Sequence, residues 1–240
     1  MKSAHWHVII LSMRKMPKQI WIGISLIAVV LANEGYKQVD VWLQSRGDGK
    51  AIIAPAPEGI AKAYFAGGCF WCTEADFEKM DGVTEVISGY QGGYTKNPTY
   101  ADVTKDTTGH REAVEVRYNP TKVTYTALVQ YFFSHIDPTD EGGSFSDRGE
   151  SYTSAVFYQS EGERQIIDAE LARLHERGAY AKPIVTAILP FAPFWVAEES
   201  HQDYYKKNTL RYEYYRNASG RDERIGELCA YRLTKSVACD

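Results

Sequence analysis

From residue 62 onward the chain alternates strand-like and helix-like segments in an order that few folds accommodate. Residues 62–66 read as a short strand that ends at two glycines. Phe70, Thr73, Phe77 and Met80 share one face, so the spacing predicts a helix over 70–80. Residues 83–90 and 111–118 read as strands, the second alternating cleanly and stopped by Asn119-Pro120. A helix over 124–135, a strand over 152–158 and a helix over 161–177, ended by Gly178, come next. A strand over 183–189, a short helix over 198–207 and a polar tail beyond Arg211 complete the chain. Strand–helix–strand–strand–helix–strand is the order of a split βαβ, a ferredoxin-like two-layer α/β sandwich. The expected class is therefore α+β, extended at the C-terminal side by further helix and strand elements and an irregular tail.

The N-terminal region is of another kind. Arg14, Lys15 and Lys18 precede an uncharged run, IWIGISLIAVVLA, from Ile20 to Ala32. A basic stretch, a short apolar stretch and a small residue at its end describe a secretory signal, with cleavage near Ala32. The run also suits an uncleaved anchor or a buried core helix, although about 20 apolar residues are needed to span a bilayer comfortably. Residues 33–60 hold Gly47, Gly49 and Pro55-Ala56-Pro57 and read as a linker or surface arm. Residues 61–240 remain as one domain that must carry the chemistry. Residues 1–32 contain four Lys/Arg and no Asp/Glu, so the formal net charge of −4 becomes −8 for the remainder. No basic patch is left that argues for nucleic acid.

Gly67-Gly68-Cys69-Phe70-Trp71-Cys72 spans the junction of the first strand and the first helix. The glycines let the backbone turn sharply and expose the sulfur. The helix start offers unpaired N–H groups and the positive end of a dipole, which favours thiolate over thiol. Phe70 and Trp71 beside a reactive sulfur suit a substrate with an apolar part, and Cys72 is placed to form a disulfide with Cys69. A C-x-x-C loop is too short to gain much loop-closure stability, which argues for redox chemistry. The pattern alone also fits a metal site, a thioredoxin-like oxidoreductase, or two cysteines buried as small hydrophobes. Cys229 and Cys239 stand far off in the tail, too widely spaced to complete a compact zinc site.

On the third strand, alternation puts Glu112 on one face with Val114, Val116 and Tyr118. Such a carboxylate either sits at an exposed strand end or is desolvated, with a raised pKa that lets it donate a proton near neutrality. Thr108-Gly109-His110 supplies a tight turn into it, and His110 by itself carries no catalytic signal.

Gly68-Cys69-Phe70-Trp71, Gly89-Tyr90-x-Gly92-Gly93 leading to Asn97-Pro98-Thr99-Tyr100, and Gly109-His110-x-Glu112 occur in one order. Asp147-x-Gly149-x-x-Tyr152-x-Ser154 and Ala197-Glu198-x-x-His201-Gln202 follow. Together, over about residues 60–225, they resemble the peptide methionine sulfoxide reductases of the A type. The resemblance implies thiol-dependent reduction of the S epimer of methionine sulfoxide, protein-bound and free, in the repair of oxidised proteins. It implies Cys69 as the nucleophile and Glu112 as the proton donor to the sulfoxide oxygen. Tyr100 and Tyr152 would aim hydroxyls at that oxygen, Asp147 would help hold the network, and Phe70 and Trp71 would wall the methyl group on sulfur. Cys69 would be left as a sulfenic acid for a nearby thiol to condense to a disulfide. Proximity favours Cys72 as the resolving thiol, with Cys229 as a second relay. Thioredoxin or a similar dithiol protein would recycle that disulfide, with no metal or other cofactor, in a monomeric enzyme. The signal implies export, to the periplasm or the outer face of a membrane, and without it the enzyme is cytoplasmic. His201 and Gln202 are expected to hold the last helix against the core. Two departures from the family pattern are a tail with little glycine around Cys229 and Cys239, and Ser200 where many relatives have a larger side chain.

Overall fold

The computed structural model describes residues 56–239, so the expected signal or anchor at 1–32 and most of the expected arm at 33–60 lie outside the described residues. In chain order the elements are β1 (Ala61–Ala66), α1 (Phe70–Phe77), β2 (Val83–Gln91), α2 (Tyr100–Val103), β3 (Arg111–Tyr118) and α3 (Tyr125–Ser134). A small hairpin, β4 (Gly143–Ser144) and β5 (Asp147–Arg148), leads into β6 (Ala155–Tyr158), α4 (Glu161–Glu176), β7 (Ala187–Pro190) and β8 (Trp195–Val196). Three helices close the chain: α5 (Tyr204–Lys207), α6 (Thr209–Ala218) and α7 (Arg221–Leu233).

One six-stranded sheet has the order β7-β6-β1-β3-β2-β8. Its inner run β6-β1-β3-β2 is antiparallel throughout and is the split βαβ arrangement expected from the segment order. β7 is added parallel to β6 through the crossover helix α4, and β8 is added antiparallel to β2. Side-chain caps fix where two of the helices begin. Thr124 accepts from Ala127 N at 3.1 Å to start α3, and Ser160 accepts from Glu163 N at 3.2 Å to start α4.

Alternation on β3 works as its sequence implies. Val114, Val116 and Tyr118 join Phe65, Phe77 and Phe132 in the main core, where the Phe65 and Phe77 rings stack at 4.9 Å. Ala113 points the other way, into a smaller cluster with Tyr64, Phe157 and Phe194. Glu115, on that same second face, is buried but satisfied by the Tyr64 hydroxyl at 2.7 Å, Lys62 and Arg117 Nε at 2.8 Å.

Several expectations need correction. α1 stops at Phe77 because the chain turns there toward β2, and the strand expected from residue 152 starts only at Ala155, after a 3₁₀ turn over Glu150–Tyr152. The strand expected over 183–189 runs Ala187–Pro190, and β8 after it, with two residues, is too short to show a pattern in the sequence. The helix expected over 198–207 is broken, with a 3₁₀ turn at Glu199–His201 and Asp203 in the left-handed region (φ 52°) before α5. The tail is not irregular. It forms α6 and α7, which bury Tyr212, Leu228 and Arg232, and then seats Val237 in the main core.

Candidate active site

Cys69 stands at the junction of β1 and α1, as the residue that caps the helix start. Its carbonyl accepts from Cys72 N and Thr73 N at 3.1 Å, and from Thr73 Oγ1 at 3.2 Å. Gly68 makes the turn with φ 85°, and a Cβ there would lie 2.4 Å from Ser144 Cβ. Glycine is required at this point on both counts. The Gly67 carbonyl is held from the far side by Arg221 Nη1 at 3.2 Å.

Glu112 comes to the same place from β3, opposite Tyr90 on β2. Its Oε2 accepts from Phe70 N at 2.9 Å, which uses one of the orphan amides of the first turn of α1. The carboxyl is only 2% exposed, and burial pushes its pKa up to about 8 against the pull of that amide and of the Tyr152 hydroxyl. Glu112 is thus a neutral acid at pH 7 with a proton to give.

Tyr100 opens α2 and Tyr152 lies in the 3₁₀ turn after the β4–β5 hairpin, and their hydroxyls are hydrogen-bonded to each other. Burial, and then the nearby Glu112 carboxyl, push both phenols up, so both are donors. Tyr100 is fixed at its backbone, where N donates to Glu198 Oε1 at 2.8 Å, while Glu198 Oε2 accepts from Tyr90 OH at 2.7 Å. Asp147, at the start of β5, has a carboxyl raised by burial and accepts a very short hydrogen bond from the Tyr215 hydroxyl.

Tyr215 was not singled out by sequence reasoning. It lies on α6 in the tail, its hydroxyl is also hydrogen-bonded to Cys69, and its ring meets Trp71 edge-on at 5.7 Å. The available signal was the group Tyr212, Tyr214 and Tyr215 inside an otherwise polar stretch.

Cys69, Phe70, Trp71, Tyr100, Glu112, Asp147, Tyr152 and Tyr215 line one cavity of about 50 Å³. Trp71 is clamped by stacking on Tyr204, ring centroids 3.7 Å apart, and by its indole N–H, which donates to His201 Nδ1 at 3.1 Å. Burial lowers the His201 pKa to about 4, so the imidazole stays neutral and able to accept. Gln202 spans the edge of β2, with Oε1 accepting from Ser88 N at 3.0 Å and Nε2 donating to Ser88 O at 2.9 Å.

The two thiols of the motif differ. Burial, then Cys72 and Glu112, push the Cys69 thiol up, with only the Tyr215 hydroxyl among the named neighbours opposing. The thiolate expected from the helix start is therefore not the resting form, because desolvation outweighs the dipole of a two-turn helix. Cys72 is pulled down by a hydrogen bond from Cys69, with Arg221 and Arg216 adding to it. Cys229, expected as a second relay, is disulfide-bonded to Cys239, with Cα atoms 5.5 Å apart. Cys69 and Cys72 are both free.

Residues 61–231 match the sequence model of the family described as peptide methionine sulfoxide reductase. The MsrA/MsrB reductase of Vibrio cholerae is 50% identical over 187 residues, which are 78% of this chain and 50% of that protein. The chain therefore spans half the length of that relative. MsrA of Bacillus subtilis is 48% identical over 165 residues, covering 69% of this chain and 93% of the relative. Among solved structures, methionine sulfoxide reductase A of Corynebacterium diphtheriae is similar with a TM-score of 0.58 and 34% identity, over 65% of this chain and 78% of that one. The chain belongs to the peptide methionine sulfoxide reductase family, A type, and its reaction is the reduction of methionine sulfoxide.

Proposed function

We propose that the cavity accepts the methyl sulfoxide head of the S epimer of methionine sulfoxide, in peptides and as the free amino acid. The observation that carries this reading is the size and lining of the cavity. Its volume of about 50 Å³ holds roughly three to five water-sized spheres, enough for a methyl carbon, a sulfur and an oxygen and little else. One wall is aromatic and suits the methyl group, and the other presents Glu112, Tyr100 and Tyr152 to the oxygen. The rest of the substrate stays outside, so a protein chain and a free amino acid present the same group. The choice of epimer is supported by the A-type motif set.

In this reading Cys69 attacks the sulfoxide sulfur while Glu112 passes its proton to the oxygen. Tyr100 and Tyr152 donate to that oxygen as charge builds on it. Asp147 holds Tyr215, and Tyr215 holds the Cys69 sulfur. The protonated oxygen leaves the substrate sulfur as water, and a water adds to the Cys69 sulfur as the new S–S bond breaks. Methionine departs with Cys69 left as a sulfenic acid, and the proton of the Cys69 thiol replaces the one Glu112 gave. Cys72, three residues on in the same helix, then forms a disulfide with Cys69, and a thioredoxin-type dithiol reduces it. These groups perform every step without a bound cofactor.

The N-terminal basic and apolar run supports export, with cleavage near Ala32. Turnover of separated S and R epimers with a small dithiol reductant tests the assignment. The S form is expected to be consumed, and turnover of the R form alone would overturn it.

A further inference from the structure

Two arginines from the C-terminal helices converge beneath the redox helix, where the sulfoxide does not reach. Arg216 Nη1 donates to Asp76 Oδ1 at 2.8 Å and to the Tyr212 hydroxyl at 2.9 Å. Arg221 Nε lies 3.6 Å from Asp76 Oδ2, too far for a hydrogen bond, and neither atom has a hydrogen-bond partner. Asp76 is on α1 one turn after Cys72, on the same face of that helix. Tyr212 and Cys72 pack in one cluster. Both guanidiniums are thereby anchored one helical turn from Cys72, close enough to act on its charge, and Cys72 is itself only 1% exposed.

Arg221 is 2% exposed, and the Arg216 side chain is 13% exposed. Asp76 is the carboxylate that meets both of them from inside, and Asp147, beyond ion-pair distance across the cavity, also acts on Arg221. The second partner of Arg216, Asp222, has a side chain 53% exposed and is screened by water. Two guanidiniums that share one deeply buried carboxylate favour a further negative charge beside them. The titratable and charged groups around Cys72 and its arginines include Cys69 and Asp76 from its own helix, Glu112 from β3, His135 after α3, Asp147 from β5, Tyr212 and Arg216 from α6, and Arg221 from α7. The arginines favour the ionised form of Cys72, and that is the ionised form the recycling chemistry can use.

We infer that Arg216 and Arg221 are positioning residues of the recycling step, holding a positive field over Cys72 so that it is the thiolate that closes on oxidised Cys69. The inference rests on Cys72 being the resolving thiol. In the step, the Cys72 sulfur attacks the Cys69 sulfur, the new S–S bond forms and the Cys69 S–O bond breaks. The hydroxyl leaves as water with the proton that Cys72 had released. The sulfenic sulfur of Cys69 and the thiol-level sulfur of Cys72 thus meet at the disulfide level, the sulfoxide having been the two-electron oxidant, and no other oxidant is needed.

The experiment mixes the full chain with one equivalent of a peptide S-sulfoxide, without reductant, and reads two signals against time. Methionine formed reports the first step. The Cys69–Cys72 disulfide, with any remaining sulfenic acid trapped by a 1,3-diketone, reports the second. Arg216→Gln is expected to leave methionine formation within about twofold and to slow disulfide formation about tenfold at pH 7, as for a one-unit rise in thiol pKa. The deficit should disappear at pH 9, and Arg216→Lys should keep most of the rate. Equal slowing of both steps, equal loss in the Lys and Gln variants, or a deficit that persists at pH 9 would overturn the inference. A Cys69→Ser chain with both arginines intact gives a second reading, through the ultraviolet absorbance of the thiolate. Cys72 should ionise below the pKa of about 8.5 of a free cysteine, and a value at or above that overturns the inference too. Cys72→Ser run in parallel separates the two claims. If that variant still forms a disulfide to Cys69 at the wild-type rate, the resolving role of Cys72 fails, whatever the arginine variants do.

Discussion

At the scale of single residues, catalysis depends on where one proton resides. Glu112 could have been an exposed strand end, and the structure instead seats it under Phe70 N with its carboxyl raised to about 8. The acid form therefore dominates below about pH 8. Replacing Glu112 by Gln keeps the size and removes the proton, so kcat/KM is expected to fall about 10²–10⁴-fold between pH 5 and 7. Above pH 8 the wild type loses its own proton, and the two profiles should converge. A constant ratio from pH 5 to 10 would show that Glu112 acts through structure. Stability gives the opposite sign. A carboxyl raised above its unfolded value of about 4.3 stabilises the fold fully below that pH, and this contribution is lost as pH rises through about 8. The Gln variant has no such loss, so its Tm relative to wild type should climb between pH 5 and pH 8. Cys69 shows the same competition in reverse. The sequence implied a thiolate from the helix start, while burial and the neighbouring Glu112 keep the resting sulfur protonated.

At the scale of elements, the junction of β1 and α1 depends on a turn that only glycine makes. Gly68 has φ 85°, and its missing Cβ leaves space occupied by Ser144 of the β4–β5 hairpin. Gly68→Ala is therefore expected to strain the backbone and push the hairpin that carries Asp147 away from Cys69. Activity should fall at least tenfold, and Tm should drop by more than the change expected for an ordinary surface substitution, which is within about 0.5 kcal/mol. Calorimetry with a kcat measurement on the same sample checks both, and an unchanged kcat would show that the hairpin position is immaterial. The same junction shows what was legible in the sequence. Strands and long helices with a clear period, such as β3 and α4, were readable nearly to the residue because one buried face dictates the pattern. Short elements were not. β8 has two residues, and the break at Asp203 depends on contacts such as the bond of Asp203 N to Glu74 at 2.8 Å, which is 129 positions away in sequence. The tail misled for the same reason. α6 and α7 are polar on most of their surface, and the few residues that anchor them, Tyr212, Arg221 and Arg232, show their purpose only against α1 and α3. Tyr215 was missed with them.

At the scale of the whole molecule, the last residues close the domain around its own redox centre. α6 lays Tyr215 and Tyr212 over Cys69 and Cys72, α7 sends Arg221 to the Gly67 carbonyl, and the chain then returns to seat Val237 in the main core. The Cys229–Cys239 disulfide spans this return. Its ten-residue separation is short, and the chain-entropy argument gives it about 2–3 kcal/mol, mainly by restricting the unfolded chain. A disulfide at this place suits an oxidising compartment, such as the one the proposed export would lead to. It has two possible uses with different consequences. As a clip it fastens the helices that cover the site, and as a relay it passes electrons to the buried pair from outside. The position of Cys72 three residues from Cys69 favours the clip, because the first disulfide can form with no movement of α7. Replacing both Cys229 and Cys239 by Ser should lower Tm by roughly 5–10 °C, from that entropy and the entropy of unfolding of a domain this size. Multiple turnovers with a thioredoxin-type donor should continue at close to the wild-type rate at 25 °C. A double variant that releases one equivalent of methionine and then stalls with that donor, while a small dithiol restores it, would mean that the electrons travel through Cys229 and Cys239 after all.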